Sequence, residues 1–330
     1  MLDDTVKLNM NEVPYPPPLP VRQAAEEGLT RLQRYVEPED VRQLAVALAE
    51  YAGVSQEHII VSPGSDLLLR ELVLIFSKDR KVIMVSPSFF PTVQTAKQFV
   101  TKLVSLRLAP PDFVLDMDLL RSELAGPCLV IVDNPNNPTG QVLLGPQDVE
   151  TLVAHPHTLV VIDEAYYEFC GVTCAELVSR YPNLAVTRTL DKAFSLAGAR
   201  VGYAIVGEAF REAFAAFYVF LSQSSLRAAI AALAQPDYMR ENVRRVVQER
   251  ERVRARLAAL PLQVYPSATN FLLVQVQVPD LAHRLAVAGV RISDLSCQLP
   301  PGFVRVSVGT REENDVFIRA LEAVIKEAGQ

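Results

Sequence analysis

No run of apolar residues in this sequence is long enough to span a bilayer, although half of its 330 residues are hydrophobic. Positive charge is scarce as well. Lys and Arg number 32 against 38 Asp and Glu, and a net charge of −6 leaves no basic footprint for nucleic acid or an anionic membrane. The four cysteines, Cys128, Cys170, Cys174 and Cys297, are too few and too scattered for a disulfide framework. Two of them lie in or just after apolar runs and read as small buried hydrophobes. Cys170 and Cys174 with His155 and His157 match no common zinc spacing, so no metal is expected. The first residues, Met1-Leu2-Asp3-Asp4, are acidic and lead into no apolar stretch. No secretory signal is therefore expected, and a reduced, cytoplasmic setting follows. Internal repeats and low-complexity segments are absent.

What is present is a long alternation of strand-like and helix-like segments. Five prolines among the first twenty residues predict an extended arm, because proline removes donors and biases its predecessor away from helix. Two helices should follow, the second over 38–52, where Val41, Leu44, Ala45 and Leu48 share a face and Gly53 stands just past the end. Residues 58–61 read as a short buried strand, and Ser65 as the N-cap of an apolar helix reaching Phe76. Strands are then predicted at 81–86, 128–133, 159–163, 185–189 and 202–206, separated by segments long enough for crossover helices. That pattern means an α/β fold, with a mostly parallel sheet covered by helices on both faces. In such sheets the ligand lies at the carboxyl ends of the strands.

A long amphipathic helix is predicted over 240–260, with Val243, Val246, Val247, Val253 and Leu257 on its apolar side. Strands at 270–276 and 304–308 follow. A last helix starts at Arg311, where Thr310 and Glu313 form a capping box. We expect a large domain over 34–235. A smaller α+β domain should be built from both termini, 1–33 with the N-terminal arm and 236–330.

Several polar residues sit where these strands end. Lys192 follows one strand and precedes a small-residue segment that carries Arg200. Asp163 closes the apolar strand Leu159-Val160-Val161-Ile162, where an unpaired carboxylate is costly and a cationic partner is needed. A salt bridge to arginine is one such partner, and a protonated pyridine nitrogen is another. Asn134 to Gly140 has turn composition, and its flanking prolines would hold Asn137 in a fixed pose. Gly64-Ser65-Asp66 before a helix reads either as plain capping or as a phosphate-binding helix end. Phe89 suits the core or the face of a flat ring. Arg305, in the strand-like Phe303-Val304-Arg305-Val306-Ser307, is oddly placed for a solvated charge and could hold a carboxylate by a bidentate pair. Each residue alone has a bland reading. In this order they are the parts needed to hold pyridoxal phosphate: a lysine for its carbonyl carbon, a carboxylate for the ring nitrogen, hydroxyls and arginine for the phosphate.

The sequence resembles the fold-type I pyridoxal-phosphate aminotransferases of class I/II, most closely those acting on histidinol phosphate. The resemblance covers nearly the whole chain. It rests on Leu8-Asn9-Met10-Asn11-Glu12, Arg34-Tyr35, Gly64-Ser65-Asp66, Asn134–Gly140, Asp163-Glu164-Ala165-Tyr166-Tyr167-Glu168-Phe169, the Lys192 segment and Val308-Gly309-Thr310-Arg311-Glu312-Glu313-Asn314. It implies that Lys192 bonds the cofactor and shuttles a proton, with Asp163 on the ring nitrogen, Asn137 and Tyr166 on the ring oxygen and Phe89 stacked on the ring. It assigns the phosphate to Ser65, Asp66, Thr189 and Arg200, and the substrate carboxylate to Arg305 beside Asn137. Tyr35 would reach the cofactor of a partner subunit in a homodimer. The small-molecule partners would be an amino donor, histidinol phosphate or an aromatic amino acid, and a 2-oxo acid.

Three features depart from that pattern. Asp191 stands where the family has a phosphate-binding serine or threonine, and we expect it to turn outward. Ser293 stands where an arginine faces the substrate phosphate, with Arg291 nearby. The lead before Leu8 is short. Two other readings share the motifs. A decarboxylase or lyase acting on threonine phosphate would use the same cofactor. A cofactor-binding regulator would need a DNA-binding module, whereas the first helices here belong to the enzyme's own arm.

Overall fold

The structure is a computed structural model that describes residues 5–214 and 220–329. In chain order the first half comprises β1 (Val6–Lys7), α1 (Leu19–Leu29), α2 (Pro38–Ala52), β2 (Ile59–Ser62), α3 (Ser65–Phe76), β3 (Lys81–Ser86), α4 (Phe90–Phe99), β4 (Leu103–Arg107), α5 (Met117–Ser122), β5 (Cys128–Asp133) and α6 (Pro146–Val153). Then come β6 (Thr158–Asp163), α7 (Tyr167–Cys170), β7 (Leu184–Thr189), β8 (Gly202–Val206), α8 (Glu208–Phe214), α9 (Gln223–Leu233) and α10 (Pro236–Leu257). The remainder is β9 (Gln263–Val264), β10 (Phe271–Gln275), α11 (Leu281–Val287), β11 (Val290–Arg291), β12 (Ser293–Asp294), β13 (Phe303–Ser307) and α12 (Arg311–Ala328).

Seven strands form the main sheet in the order β2-β8-β7-β6-β5-β3-β4. All are parallel except β8, which runs antiparallel to both of its neighbours. Alternate side chains on the central strands enter different cores, as a pleat with period two requires. Cys128, Val130 and Val132 of β5 pack in the core that includes Leu44 and Leu48 of α2 and Ala229 of α9. Leu129 and Ile131 pack on the opposite face, with Leu68, Leu72 and Phe76 of α3. Because helices cover both faces, the strands read as continuous apolar runs, which is why they were visible in the sequence. Edge strand β4 was not. Its polar and charged residues, Ser105 and Arg107, break up the run and suit an edge that meets solvent.

A second, antiparallel sheet, β12-β13-β10-β9, carries the other core. Leu272 and Val274 of β10 pack there with Val304 and Val306 of β13 and Phe317 and Leu321 of α12. The opposite face of β10 turns Phe271 and Leu273 into the large core. Helix α10 also bridges the two: Met239 and Val246 belong to the large core, Val253 and Leu257 to the small one. Near the amino terminus, Val21 of α1 lies in the large core, and β1 pairs with β11 beside the small one.

One local expectation is corrected and another holds. Gly64, with φ 87°, is the N-cap of α3, and Ser65 is its first helical residue, not its cap. Helix α12 starts as predicted, with the Thr310 hydroxyl accepting from the Glu313 N–H and the Glu313 carboxylate accepting from the Thr310 N–H.

Candidate active site

The strand register brings the polar residues together. Asp133 at the end of β5 lies opposite Asp163 at the end of β6, and Asp163 lies opposite Thr187 on β7. Gly202, the first residue of β8, lies opposite both Thr189 and Ser62. A Cβ at Gly202 would strike the backbone of Gly64 and Ser65, so glycine lets the start of α3 settle directly onto the sheet. A cavity of about 530 Å³ opens over these strand ends.

Nine of the ten cofactor-site residues read from the sequence line that cavity: Ser65, Asp66, Phe89, Asn137, Asp163, Tyr166, Thr189, Lys192 and Arg200. Arg305 joins them from β13, across the two sheets. Tyr35 does not. It is 77% exposed at the surface, with its ring 4.8 Å from that of Phe220.

Lys192 Nζ lies 5.9 Å from the centre of the Tyr166 ring and 3.5 Å from the Met10 carbonyl oxygen. Asp163 is buried and accepts from the Thr187 hydroxyl at 2.8 Å. Burial pushes its pKa from 3.8 up to about 7, and the charge of Asp133 adds to the rise. Among the described residues no basic side chain pairs with it. The Tyr166 hydroxyl accepts from Asn11 Nδ2 at 2.9 Å and from Asn137 Nδ2 at 3.5 Å. Arg305 donates to Asn137 Oδ1 at 2.6 Å, to the Asn9 carbonyl at 2.9 Å and to Ser293 Oγ at 3.1 Å. Its buried Nε has no hydrogen-bond partner among the described residues.

At the other end of the cavity, α3 begins with no side chain capping its first turn, which leaves N–H groups and the positive end of the helix dipole for an anion. Arg200 stands beside it, paired with Asp66 and with Asp191. Asp191 is therefore not turned outward. It is 5% exposed, drawn in by that ion pair, and its N–H is tied to Thr189 Oγ1 at 3.0 Å.

The family model described as aminotransferase class I and II matches residues 3–321. The chain belongs to this family. The histidinol-phosphate aminotransferase of Sulfurisphaera tokodaii is 35% identical to it, over 98% of this chain and 92% of that protein. That of Thermococcus gammatolerans is 36% identical over 97% and 92%. Among solved structures, the histidinol-phosphate aminotransferase of Sinorhizobium meliloti in complex with pyridoxal-5′-phosphate superposes with a TM-score of 0.87. It is 28% identical and covers 97% of this chain and 91% of that one.

The enzyme is thus a pyridoxal-phosphate-dependent aminotransferase of fold type I. Its own cavity fits the cofactor. The uncapped start of α3 with Arg200 and Thr189 suits a phosphate, and the buried Asp163, lacking a basic partner, suits a ring cation.

Sequence reasoning missed three supports of this aminotransferase's site. Asn11, with φ 52°, donates its backbone N–H to Ser307 Oγ and its side-chain amide to Tyr166, and its carbonyl accepts from Asn270. An asparagine inside a short polar motif was the available signal, since asparagine tolerates positive φ. Asp133 accepts from Ser88 Oγ, Asn136 Nδ2 and the Asn137 N–H, and so orders the 134–140 turn; burial pushes its pKa up to about 6. Thr187 is the third. An alternating threonine in a strand carries no mark of its purpose.

Proposed function

We propose that this aminotransferase moves the amino group of histidinol phosphate to 2-oxoglutarate in two ping-pong half-reactions. The observation that carries the reading is Arg305. It lines the cavity from β13, fixed there by Asn137, Asn9 and Ser293, where it can pair with a carboxylate of 2-oxoglutarate; histidinol phosphate has no carboxylate, so this contact speaks for the acceptor. The names of the relatives at 35% and 36% identity support histidinol phosphate as donor.

Bound pyridoxal phosphate supplies the electron sink for the carbanion formed at the substrate's α-carbon. Lys192 would hold the cofactor's carbonyl carbon, and its Nζ would take and return the proton at the substrate's α-carbon. Asp163 would pair with the ring nitrogen, Asn137 and Tyr166 with the ring oxygen, and Phe89 would pack on the ring. The N–H groups at Ser65 and Asp66, with Thr189 and Arg200, would hold the phosphate. Tyr35 serves the site of a second copy, and the exposed Tyr35–Phe220 pair supports a homodimer.

The substrate assignment is tested by kcat/KM for histidinol phosphate and for phenylalanine, each with 2-oxoglutarate and read by glutamate formation. Histidinol phosphate should win by orders of magnitude. Equal efficiencies, or a preference for phenylalanine, would identify an aromatic aminotransferase. That outcome has a structural motive, because Ser293 is engaged with Asn9 and Arg305.

A further inference from the structure

Arg200 carries the positive charge at the phosphate end of the cavity, and two carboxylates already share it. Asp66 takes one of its nitrogens and Asp191 the other. The two acids are not equivalent. The Asp66 side chain is 47% exposed, so water screens its charge and it can swing away. The Asp191 side chain is 7% exposed, and its backbone is held by Thr189. Its Oδ1 is buried and has no hydrogen-bond partner among the described residues.

Lys192 also favours its ionised form, but its amine is the group assigned to the chemistry. On the far side of Asp191 an adjoining cleft is lined by Lys7, Glu12 and Glu313. Lys7 pairs with Glu12 at 2.9 Å, and Glu313 accepts the Thr310 N–H in the cap of α12. One shared guanidinium therefore faces Asp66, Asp191 and whatever phosphate arrives, which brings a charge of about −1.5 to −2. Burial already raises the pKa of Asp191 despite the opposing effects of Arg200 and Lys192, and a phosphate beside it acts in the same direction.

We propose that Asp191 is a phosphate-contacting residue that becomes protonated as the cofactor loads, so that cofactor binding takes up one proton. The proton comes from solvent onto the Asp191 carboxyl. The resulting O–H donates to a phosphate oxygen, and Arg200 is released from Asp191 to pair with the phosphate. A residue that repels the ligand when ionised thus becomes a donor when neutral, and the cofactor is held more weakly as pH rises. This rests on the assignment of the Ser65–Thr189–Arg200 end to the phosphate.

The test uses the full chain stripped of cofactor and titrated calorimetrically with pyridoxamine 5′-phosphate. Buffers of different protonation enthalpy are used, near pH 8 and thus above the phosphate's own second pKa of about 6. Wild type should take up about one more proton per site than Asp191→Asn, which imitates the neutral acid. The ratio of their Kd values should widen by up to about tenfold per pH unit. Equal proton uptake with a pH-independent ratio would overturn the proposal. If Asp191→Asn fails to fold, Asp191→Ser takes its place under the same criteria. Arg200→Asn, which tolerates the positive φ at that position, tests the site itself. It should weaken binding at every pH, and wild-type affinity there would mean that the phosphate lies elsewhere, overturning both statements.

Discussion

At the scale of single residues, Asp163 shows how burial prepares a group for a partner. In the chain alone its carboxyl is pushed from 3.8 to about 7. The folded state therefore binds a proton that the unfolded state releases, and stability falls as pH rises from about 4 to about 7. Asp163→Asn removes this contribution. The melting temperature of the cofactor-free variant should drop less than that of wild type between pH 5 and 7.5, and turnover of the loaded variant should fall by orders of magnitude. Near-normal turnover would make Asp163 structural. Ser293 acts through another residue: its hydroxyl donates to the Asn9 carbonyl at 2.7 Å and accepts from Arg305. A hydrogen bond to a charged group contributes about 1.5 kcal/mol or more, so Ser293→Ala should raise KM for 2-oxoglutarate roughly tenfold. The value of kcat should stay near wild type; a fall in kcat with KM unchanged would show that Arg305 does not depend on Ser293.

Among the elements, α3 and β8 form the joint that matters most. The main sheet brings Gly202 between Ser62 and Thr189, and the start of α3 rests where a side chain would otherwise be. A methyl group there meets backbone and has nowhere to move. Gly202→Ala should therefore cost about 1–3 kcal/mol in stability, and it should weaken cofactor binding more than it lowers the melting temperature, because the displaced element carries the proposed phosphate site. Thermal denaturation with and without added pyridoxal phosphate separates the two effects. An unchanged cofactor-induced rise in melting temperature would show that α3 tolerates the shift. Boundaries of the other elements followed local chemistry. Pro38 and Gly53 bracket α2, the Gly53 φ of 70° ends it, and the Thr310–Glu313 box starts α12.

For the whole molecule, the two cores are joined by α10 and by β10, whose faces enter one core each. That arrangement carries Arg305 of β13 to the cavity over the larger sheet. The exposed surface is informative too. Leu29, Leu32, Tyr35 and Phe220 are all more than half exposed. We expect a homodimer that covers Tyr35 and places it at the partner's phosphate. In light scattering after size exclusion, wild type should run at twice the chain mass. Tyr35→Ala should keep the dimer and bind pyridoxal phosphate about tenfold more weakly, as the loss of one hydrogen bond to a charged phosphate predicts. A monomeric wild type with full activity would leave Tyr35 without a purpose.

The sequence by itself determined the mostly parallel sheet, the limits of α2, the start of α12 and nearly all of the cavity's chemical groups. Buried strands must be apolar throughout, helices must be capped, and a lysine, an aspartate and an asparagine turn at strand ends have few other uses in that order. Tertiary structure alone decided how those groups act on one another. Asp191 was expected outside and lies within, because Arg200, nine residues away in sequence, closes onto it across the turn before β8. Ser293 supports Arg305 only because β12 and β13 pair in a register that sets the two residues opposite each other. Asn11 reaches Tyr166 only because the N-terminal segment crosses the cavity between β13 and α7. Such couplings join residues on different elements, and no local period or motif records them. They depend on which strands pair, and in what register.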